Sequence, residues 1–451
     1  MSDSARDLDS ETGAEVETEV GVESEEDTAT EVETEVAVVG VGPGGCVLSY
    51  LLARSGVETV LLERHADLDR EFRGYFFQPL AVSLFAEMGV LDDVLALSHE
   101  KIVRPELRVF GRSYEVFDLS DLPGPGYGVL MEQPPLLRLL IDRADEYDNF
   151  RFRPATGASD LLTGDEGVVG LRARDREADE ELIVRSRLVV GADGRYSTVR
   201  KAAGIDPGLL ESRVELVWFK LPASVVSASA QARIEAAGQL LYFGLGDEEA
   251  QLGWFVEKGT YPDLRERGIE AFRRRVAAVD PSLASALSDH LTDFEDCSLL
   301  RIEPGLSDDW TGDGLLLLGD AAHVASPVGG QGNGLAIQDA VVAHRVVTEA
   351  LSRSDAATLA DASDPLSEEA LRAFESRRRP AVEKVLRLQR RGERGLTWLV
   401  LDGDDVPAWL KRPLLRAVFG TLPWNPFVRS AMRTFALGPD PVSVDTTRFV
   451  D

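Results

Sequence analysis

The segment from Leu315 to Ala340 places an acidic side chain before a glycine-rich loop, an order that suits the binding of a flat, anionic ligand. Asp320 can accept hydrogen bonds from ligand hydroxyls, and the two alanines after it are small enough for a flat ring to lie against the backbone. Backbone N–H groups at the start of a helix predicted over Leu335–Val347 would present partial positive charge to the ligand. The glycines of the intervening loop are Gly329, Gly330, Gly332 and Gly334.

A second group of residues suits the binding of a pyrophosphate. Gly40, Gly42 and Gly45 supply the G-x-G-x-x-G spacing, and Gly44 precedes the last of them. Glycines at these positions allow a tight turn and a close approach of a pyrophosphate to a helix N-terminus. Glu63 stands eighteen residues after Gly45, where an acid can bind ribose hydroxyls.

A third group surrounds Asp193. In the stretch Leu188–Arg200 an apolar strand is predicted to end at Gly191, and Asp193 and Gly194 then begin a turn. An Asp-Gly pair by itself is typical of a β-turn. Its position between the other two motifs indicates a binding site instead.

Each motif follows an apolar stretch that is typical of a buried parallel strand. The stretches are Val36–Val39, 188–191 and the leucines at 315–318, and the first continues into a helix at Leu48–Ser55 and a strand at Thr59–Leu62. Open α/β sheets bind their ligands at the carboxyl ends of such strands. The sequence therefore predicts an α/β fold with its site at that edge.

In this order and at this spacing, the motifs resemble the single-component (class A) FAD-dependent aromatic hydroxylases of the para-hydroxybenzoate hydroxylase type. The resemblance runs from about Val36 to Pro380. It implies a Rossmann-like FAD-binding domain of the glutathione-reductase type, an inserted and mostly antiparallel substrate-binding sheet, and a C-terminal helical segment.

The resemblance also implies which residues hold a non-covalent FAD. In chain order they are Gly40, Gly42, Gly44, Gly45, Glu63, Arg64, Arg73, Gln133, Asp193, Asp320, Pro327, Gly330, Gly332 and Asn333. The first glycines would hold the pyrophosphate and Glu63 the adenosine ribose. Asp193 would serve both FAD and the nicotinamide donor, Asp320 would hold the ribityl chain or the pyrophosphate, and the loop from Pro327 would face the isoalloxazine.

Two positions depart from the family pattern. The family usually has Asn two residues after the glycine that corresponds to Gly332, whereas this chain has Gly334 there and carries its asparagine at Asn333. The segment Phe76–Ala81, FFQPLA, also differs from the His-Pro-Ser/Thr pattern expected in near relatives.

The activity that the resemblance implies is NAD(P)H- and O2-dependent hydroxylation of an aromatic or polyketide-like small molecule through a flavin C4a-hydroperoxide. No single catalytic acid or base is predicted, because the cofactor supplies the demanding chemistry. The alternative enzyme is an FAD-dependent reductase of isoprenoid double bonds, whose motif more usually has Gly at the position of His323. A flavoprotein that only binds FAD is a third alternative.

The net charge and the composition restrict the classes of molecule that the protein is expected to bind. A net charge of −30 argues against nucleic-acid binding, and an acidic chain whose arginines far outnumber its lysines resembles proteins adapted to high salt. The two cysteines, Cys46 and Cys297, fit a reducing cytoplasm. The sequence shows no metal-ligand spacing, signal peptide or membrane-spanning run, and it does not indicate an oligomeric state.

The predicted layout begins with a disordered acidic tail over residues 1–34. The FAD-binding domain is expected at 35–100, 119–204 and 298–380, the substrate-binding sheet at 101–118 and 205–297, and a helical region at 381–451. Within that last region, 409–437 has five basic residues and no acid. We interpret it as helices packed against the body, with a peripheral membrane anchor as the alternative.

Overall fold

A computed structural model describes residues 30–68, 75–115, 117–226, 230–245, 249–353, 364–400, 408–421, 424–440 and 442–450. Arg73, one of the residues expected to bind FAD, and residues 1–29 of the acidic tail lie outside the described residues.

The strands are β1 Thr30–Val39, β2 Thr59–Leu62, β3 Phe76–Phe77, β4 Glu100–Ile102, β5 Glu106–Val109, β6 Arg112–Glu115, β7 Gly128–Leu130, β8 Phe150–Arg153, β9 Thr156–Gly164, β10 Gly167–Asp175, β11 Glu180–Gly191, β12 Val214–Pro222, β13 Ala230–Glu235, β14 Gly238–Gly244, β15 Glu249–Glu257, β16 Cys297–Arg301, β17 Gly305–Leu306, β18 Thr311–Gly312, β19 Leu315–Leu317 and β20 His323–Val324. The helices are α1 Pro43–Arg54, α2 Pro79–Glu87, α3 Leu91–Ala96, α4 Gln133–Ala144, α5 Thr198–Ala202, α6 Tyr261–Glu266, α7 Ile269–Val279, α8 Ala284–His290, α9 Gly332–Arg353, α10 Glu368–Val400, α11 Ala408–Thr421 and α12 Pro426–Leu437.

The first sheet brings the three motif strands side by side. Its order is β18-β19-β11-β1-β2-β8, and β19, β11 and β1 run parallel. Val39 pairs with Gly191, and Gly191 pairs with Leu317, so the three strands end at one edge. The apolar runs form these strands because successive side chains, which point to opposite faces of the sheet, are all buried, and they lie in one continuous core with α1 and α9.

The first strand begins earlier than predicted. Thr30–Thr34 pairs with Leu182–Ser186 of β11, and Val32 is buried. The predicted disordered tail, residues 1–34, is therefore too long by the residues from Thr30 onward. Alternation of acids with Thr and Val in this stretch hides a strand whose register is set by β11.

The second sheet is the predicted separate, mostly antiparallel one. Its order is β16-β12-β15-β14-β13-β5-β6, and β5 and β6 form a hairpin at one edge. β13 lies parallel to β5, and β16 pairs with β12 at the other edge. The sheet therefore extends to Arg301, and the predicted domain boundary at 297/298 is wrong by one strand.

A helical region is predicted at 381–451; the described residues form α10, α11 and α12 as far as Leu437, whereas 442–450 form no α-helix. In α11, Leu415 and Phe419 are buried against Val109 and Ile234 at the edge of the second sheet, which supports packing against the body. At the start of α12, Trp424 and Phe427 remain exposed. Among the described residues, no helix combines the length and hydropathy needed to cross a bilayer.

Candidate active site

The turn between β1 and α1 contains three glycines at which a side chain would meet neighbouring atoms and one glycine at which it would meet none. A Cβ on Gly40, whose φ is +106°, would lie 2.6 Å from the carbonyl oxygen of Ala192, and one on Gly45 would lie 2.1 Å from that of Gly40. Gly44 is similarly restricted by Leu318. At Gly42, the N-cap of α1, no atom lies within 4 Å of a Cβ position. The turn is thus packed on one side and open where a pyrophosphate would approach the helix N-terminus.

Glu63 lies at the end of β2, where its carboxylate is buried under the same turn. It accepts hydrogen bonds from the backbone N–H of Val41 at 3.0 Å and of His65 at 3.1 Å. These bonds fix the carboxylate beside the glycine turn. Arg64 is exposed, and its Nε donates to Nε2 of His65 at 3.0 Å.

Asp193 is held at the carboxyl end of β11 by the start of α5. Its Oδ2 accepts hydrogen bonds from the N–H groups of Thr198 and Val199 at 2.6 and 3.2 Å. Within the described ranges its buried Oδ1 has no hydrogen-bond partner. Burial raises the pKa of Asp193, although hydrogen bonds from Ser197 and the α5 backbone oppose this shift. An unpaired, buried carboxylate oxygen fits a site that a ligand donor completes.

Arg200 connects the motif around Asp193 to the motif that contains Asp320. Its Nη1 donates to the carbonyl of Ala321 at 2.8 Å, next to Asp320 in the turn after β19. Asp320 itself is partly exposed at the sheet edge, so it is accessible to a ligand. The structure therefore brings the ends of all three motif strands into one site.

The loop before α9 is held by amide side chains. Nε2 of Gln133 donates to Oδ1 of Asn333 at 2.9 Å, and the amide of Gln78 donates to the carbonyl of Gly330. A Cβ on Gly334 would lie 2.4 Å from Oε1 of Gln78. The two departures from the family pattern thus have one physical cause: Gln78, from the unusual FFQPLA segment, occupies the space that a side chain at position 334 would need.

One group of buried charged residues was missed as a unit by the sequence analysis. Asp339, fully buried in α9, accepts hydrogen bonds from the N–H of Gly319 at 3.0 Å and from Nε of Arg378 at 2.7 Å. Nε2 of His323 lies 2.6 Å from Oδ2 of the same carboxylate. Burial alone would raise the pKa of Asp339, but His323 and Arg378 outweigh it and lower the pKa. The sequence carried one signal of this group: Asp339 is an acid on an apolar helix face, and a buried acid needs buried partners.

The second sheet presents aromatic side chains toward this site from one of its faces. Trp218 and Phe243 lie on the same face with their ring centroids 5.9 Å apart, and Phe243 packs against the same buried cluster as Phe76 of β3. A Cβ on Gly330 would lie 3.5 Å from Phe76, so the rings continue toward the glycine loop. The opposite face packs on α7 and α8 through Phe219, Tyr242 and Trp254, because adjacent residues of a strand point to opposite faces of the sheet.

The open space at Gly42, the unpaired oxygen of Asp193 and the ring-lined face beside the glycine loop fit a bound FAD. Within the described ranges, no group of three His, Cys, Asp or Glu side chains is arranged to hold a metal ion.

Comparison with known proteins identifies the family. The sequence profile described as FAD binding domain matches residues 33–388. Over 419 residues, the chain is 36% identical to 6-methylpretetramide 4-monooxygenase of Streptomyces rimosus, with 92% of this chain and 94% of that protein covered. The chain belongs to the class A FAD-dependent monooxygenases. The predicted family, the FAD cofactor and the assignment as an oxidoreductase are confirmed.

Two further relatives agree with this assignment. This chain is 28% identical over 329 residues to aklavinone 12-hydroxylase DnrF of Streptomyces peucetius, and the match covers 67% of this chain and 65% of that protein. The crystal structure of PqsL from Pseudomonas aeruginosa superposes with a TM-score of 0.68 at 25% identity, covering 80% of this chain and 96% of that one. Since both sequence relatives are named for oxygen insertion, the isoprenoid-reductase alternative is less supported.

Proposed function

We propose that this enzyme hydroxylates a planar, polycyclic aromatic molecule of the polyketide type, using NADH or NADPH and O2. The observation that carries the proposal is the near full-length match to 6-methylpretetramide 4-monooxygenase. The partly exposed rings on the second sheet support it, because a flat ligand would lie against them beside the glycine loop.

We propose the following division of work among the residues that hold FAD. Gly40, Gly42, Gly44 and Gly45 place the pyrophosphate against α1, Glu63 and Arg64 hold the adenosine end, and Asp193 and Asp320 bind the hydroxyl-rich centre. Gln133, Asn333, Pro327, Gly330 and Gly332 support the isoalloxazine edge, and Arg73 is proposed near the pyrophosphate from the family pattern alone. Bound FAD supplies the transfer of electrons from the nicotinamide and the activation of O2.

The chain's own residues prepare this site electrostatically. The start of α9 presents backbone N–H groups and no acidic side chain in its first turn, which favours negative charge on the ring edge nearest to it. The rings of the second sheet exclude water from the opposite side. Because a nicotinamide would bind only transiently, the substrate side of the site stays available after reduction.

We also propose that the enzyme works in the cytoplasm on small molecules, with neither nucleic acid nor metal as partner. Cys46 and Cys297 are not joined in a disulfide, which suits a reducing compartment. The strongly negative net charge disfavours polyanions.

The experiment is turnover of the purified holoenzyme with NADH or NADPH under 18O2, offering 6-methylpretetramide and aklavinone as candidate substrates. The expected result is a product that carries one labelled oxygen atom. A product that forms equally well without O2, with a saturated double bond and no new oxygen, would contradict the proposal and favour the reductase. Oxidation of the nicotinamide that yields only hydrogen peroxide with both compounds would contradict the substrate class.

The FAD assignment has its own test. Asp320→Ala should weaken FAD binding about 10- to 100-fold, the loss of one charge-assisted hydrogen bond. Asp309→Ala, which removes an exposed carboxylate in the loop before β18, is the control and should bind FAD like the parent. Equal FAD affinity in all three proteins, measured by the recovery of flavin fluorescence on dilution, would show that Asp320 does not hold the cofactor.

A further inference from the structure

Gln251, in the middle of β15, is a buried polar residue that the protein leaves unpaired. Its side chain has no solvent exposure, and neither Oε1 nor Nε2 has a hydrogen-bond partner in the part of the chain that the structure describes. A buried amide without partners is unfavourable, so side chains in this state are rare in folded proteins. The buried Gln231 of the same sheet shows the usual situation, since it donates to Glu106 and accepts from Arg233.

The register places Gln251 between two different surroundings on one face of the sheet. On one side it stands opposite Phe243, whose ring is partly exposed and packs with Trp218. On the other side it stands opposite Lys220, whose ammonium lies 2.6 Å from Glu249 and 3.6 Å from Glu132. The Gln251 amide therefore lies between an aromatic surface, formed by Trp218 and Phe243, and three charged side chains, Lys220, Glu132 and Glu249. We call these three the charged rim, in which Lys220 forms an ion pair with each of the two acids.

This face is the one that looks toward the proposed flavin site. Glu132 directly precedes Gln133, which holds Asn333 of the glycine loop. Phe243 and Phe76 pack against the same buried cluster, which contains Leu130 and Leu245, and Phe76 lies beside Gly330. Gln251 is thus joined to the glycine loop by this cluster on one side and by the start of α4 on the other.

We infer that Gln251 is the specificity-determining residue for the substrate, and that it pairs with a group that presents a hydrogen-bond donor and an acceptor side by side on a flat ring system. This inference rests on the proposed function. A primary carboxamide, or a carbonyl next to a hydroxyl, would satisfy both Oε1 and Nε2 while the ring lies against Trp218 and Phe243.

The charges near Gln251 restrict the ligand further. Two carboxylates and one ammonium form the rim, so a ligand carboxylate in this position would meet a net negative surrounding. A neutral ligand is therefore favoured over an acid of the same shape. The inference predicts an order of affinity in which a carboxamide precedes a ketone and the ketone precedes a carboxylate.

The test compares three ligands with one ring system: 2-naphthamide, 2-acetonaphthone and 2-naphthoate. Their dissociation constants are measured on the FAD-loaded enzyme from changes in the flavin absorbance, without nicotinamide or turnover. The parent protein should bind the amide at least about tenfold more tightly than the ketone, because only the amide pairs with both atoms of Gln251. In Gln251→Met this difference should disappear while the affinity for the ketone changes little.

Unfolding separates a ligand-binding role from a structural one. Gln251→Met removes an unpaired buried amide at similar volume, so the midpoint of thermal unfolding of the unliganded holoenzyme should stay the same or rise. The matched variant Gln231→Met breaks two existing hydrogen bonds, and it should lower the midpoint and leave the amide preference intact.

Three results would overturn the inference: equal binding of amide and ketone by the parent, no binding of either, or a loss of stability in Gln251→Met as large as in Gln231→Met. Failure of the proposed function would look different. If Gln251 controls the amide preference but no labelled oxygen enters any product, the recognition site stands and the oxygenase proposal falls.

Discussion

Asp339 accepts a hydrogen bond from Gly319 N–H and from Arg378 and contacts His323, so a single carboxylate fixes the turn that carries Asp320. Asp339→Asn would leave the guanidinium of Arg378 buried without a counter-charge. We expect a loss of about 3–5 kcal/mol in the free energy of unfolding, the usual consequence of breaking a buried ion pair. Urea denaturation of the FAD-free protein measures it.

A double variant distinguishes lost charge pairing from lost packing. Asp339→Asn combined with Arg378→Met removes the orphaned cation, and its unfolding free energy should recover part of the loss. If the double variant is less stable than Asp339→Asn alone, then packing, and not the unpaired charge, explains the effect.

His344 makes the fold sensitive to acid. Burial lowers its pKa from the ordinary 6.5 to about 4, while Asp445 and Arg448 act in opposite directions, and its Nε2 lies 2.8 Å from the hydroxyl of Ser55. The unfolded chain therefore binds a proton in a pH range where the folded chain does not. Stability should fall as the pH decreases through this range, by about 2 kcal/mol between pH 7 and pH 4.5 from this group.

Unfolding free energies at the two pH values, for the parent and for His344→Gln, measure this contribution. The variant should lose less stability on acidification, because glutamine does not titrate and can still bond with Ser55. An equal acid-induced loss in both proteins would assign the effect to other groups.

At the residue scale, the spacing of residues in the sequence predicted those features that depend on steric contacts within a short stretch of chain. Gly40 and Gly45 must be glycine because backbone atoms of the same turn and of Ala192 leave no room for a Cβ. The partners of Asp339 lie 16, 20 and 39 positions away, and no local pattern encodes such distances. The contact between Gln78 and Gly334 was hidden for the same reason.

The element that shapes the flavin-side loop is α10. Gln389 on this helix donates to the carbonyls of Ser326 and Val328 at 2.7 and 2.8 Å and accepts from the N–H of Ser326 at 3.2 Å. Pro327 lies between the two residues that it holds. Gln389→Leu should release this loop and weaken FAD binding about tenfold or more, since several hydrogen bonds to buried backbone groups are lost together.

The control for this prediction is Arg390→Leu, one position along and exposed on the same helix. Flavin retained after repeated ultrafiltration is the measurement. If both variants retain FAD like the parent, α10 covers the loop without determining its shape.

At the element scale, β19 and the carboxyl-terminal parts of β1 and β11 could be predicted because each is a continuous apolar run, whereas the first half of β1 and β13 could not. The stretch Ala230–Glu235 mixes apolar and charged side chains, and Arg233 is neutralised by Asp280 from outside its own strand. One of its partners in the sheet is β14, which follows it directly, and the other is β5, more than a hundred residues earlier. Non-local pairing of this kind leaves only a weak local pattern.

For the whole molecule, the boundary between the acidic tail and the fold is a testable position. Deleting residues 1–29 should leave FAD content, turnover and the unfolding midpoint unchanged, because this composition cannot support a packed core. Deleting residues 1–34 also removes Thr30–Thr34 from its ladder with β11 and should lower the unfolding midpoint. Thermal scans of the two truncated proteins compare them directly. Equal midpoints would mean that the first half of β1 contributes no stability.

The order of the central strands has a consequence for protein synthesis. β1 lies between β2 and β11, and β11 pairs with β19, so the proposed FAD site at the ends of these strands is complete only after residues beyond 315 have left the ribosome. Asp339, the carboxylate that fixes the turn after β19, gains its ion-pair partner only when Arg378 has also been synthesised. About four-fifths of the chain must therefore be synthesised before the proposed FAD site can form. The pairing of distant strands in the sheet, and not the supply of flavin, then sets the earliest moment at which FAD can bind.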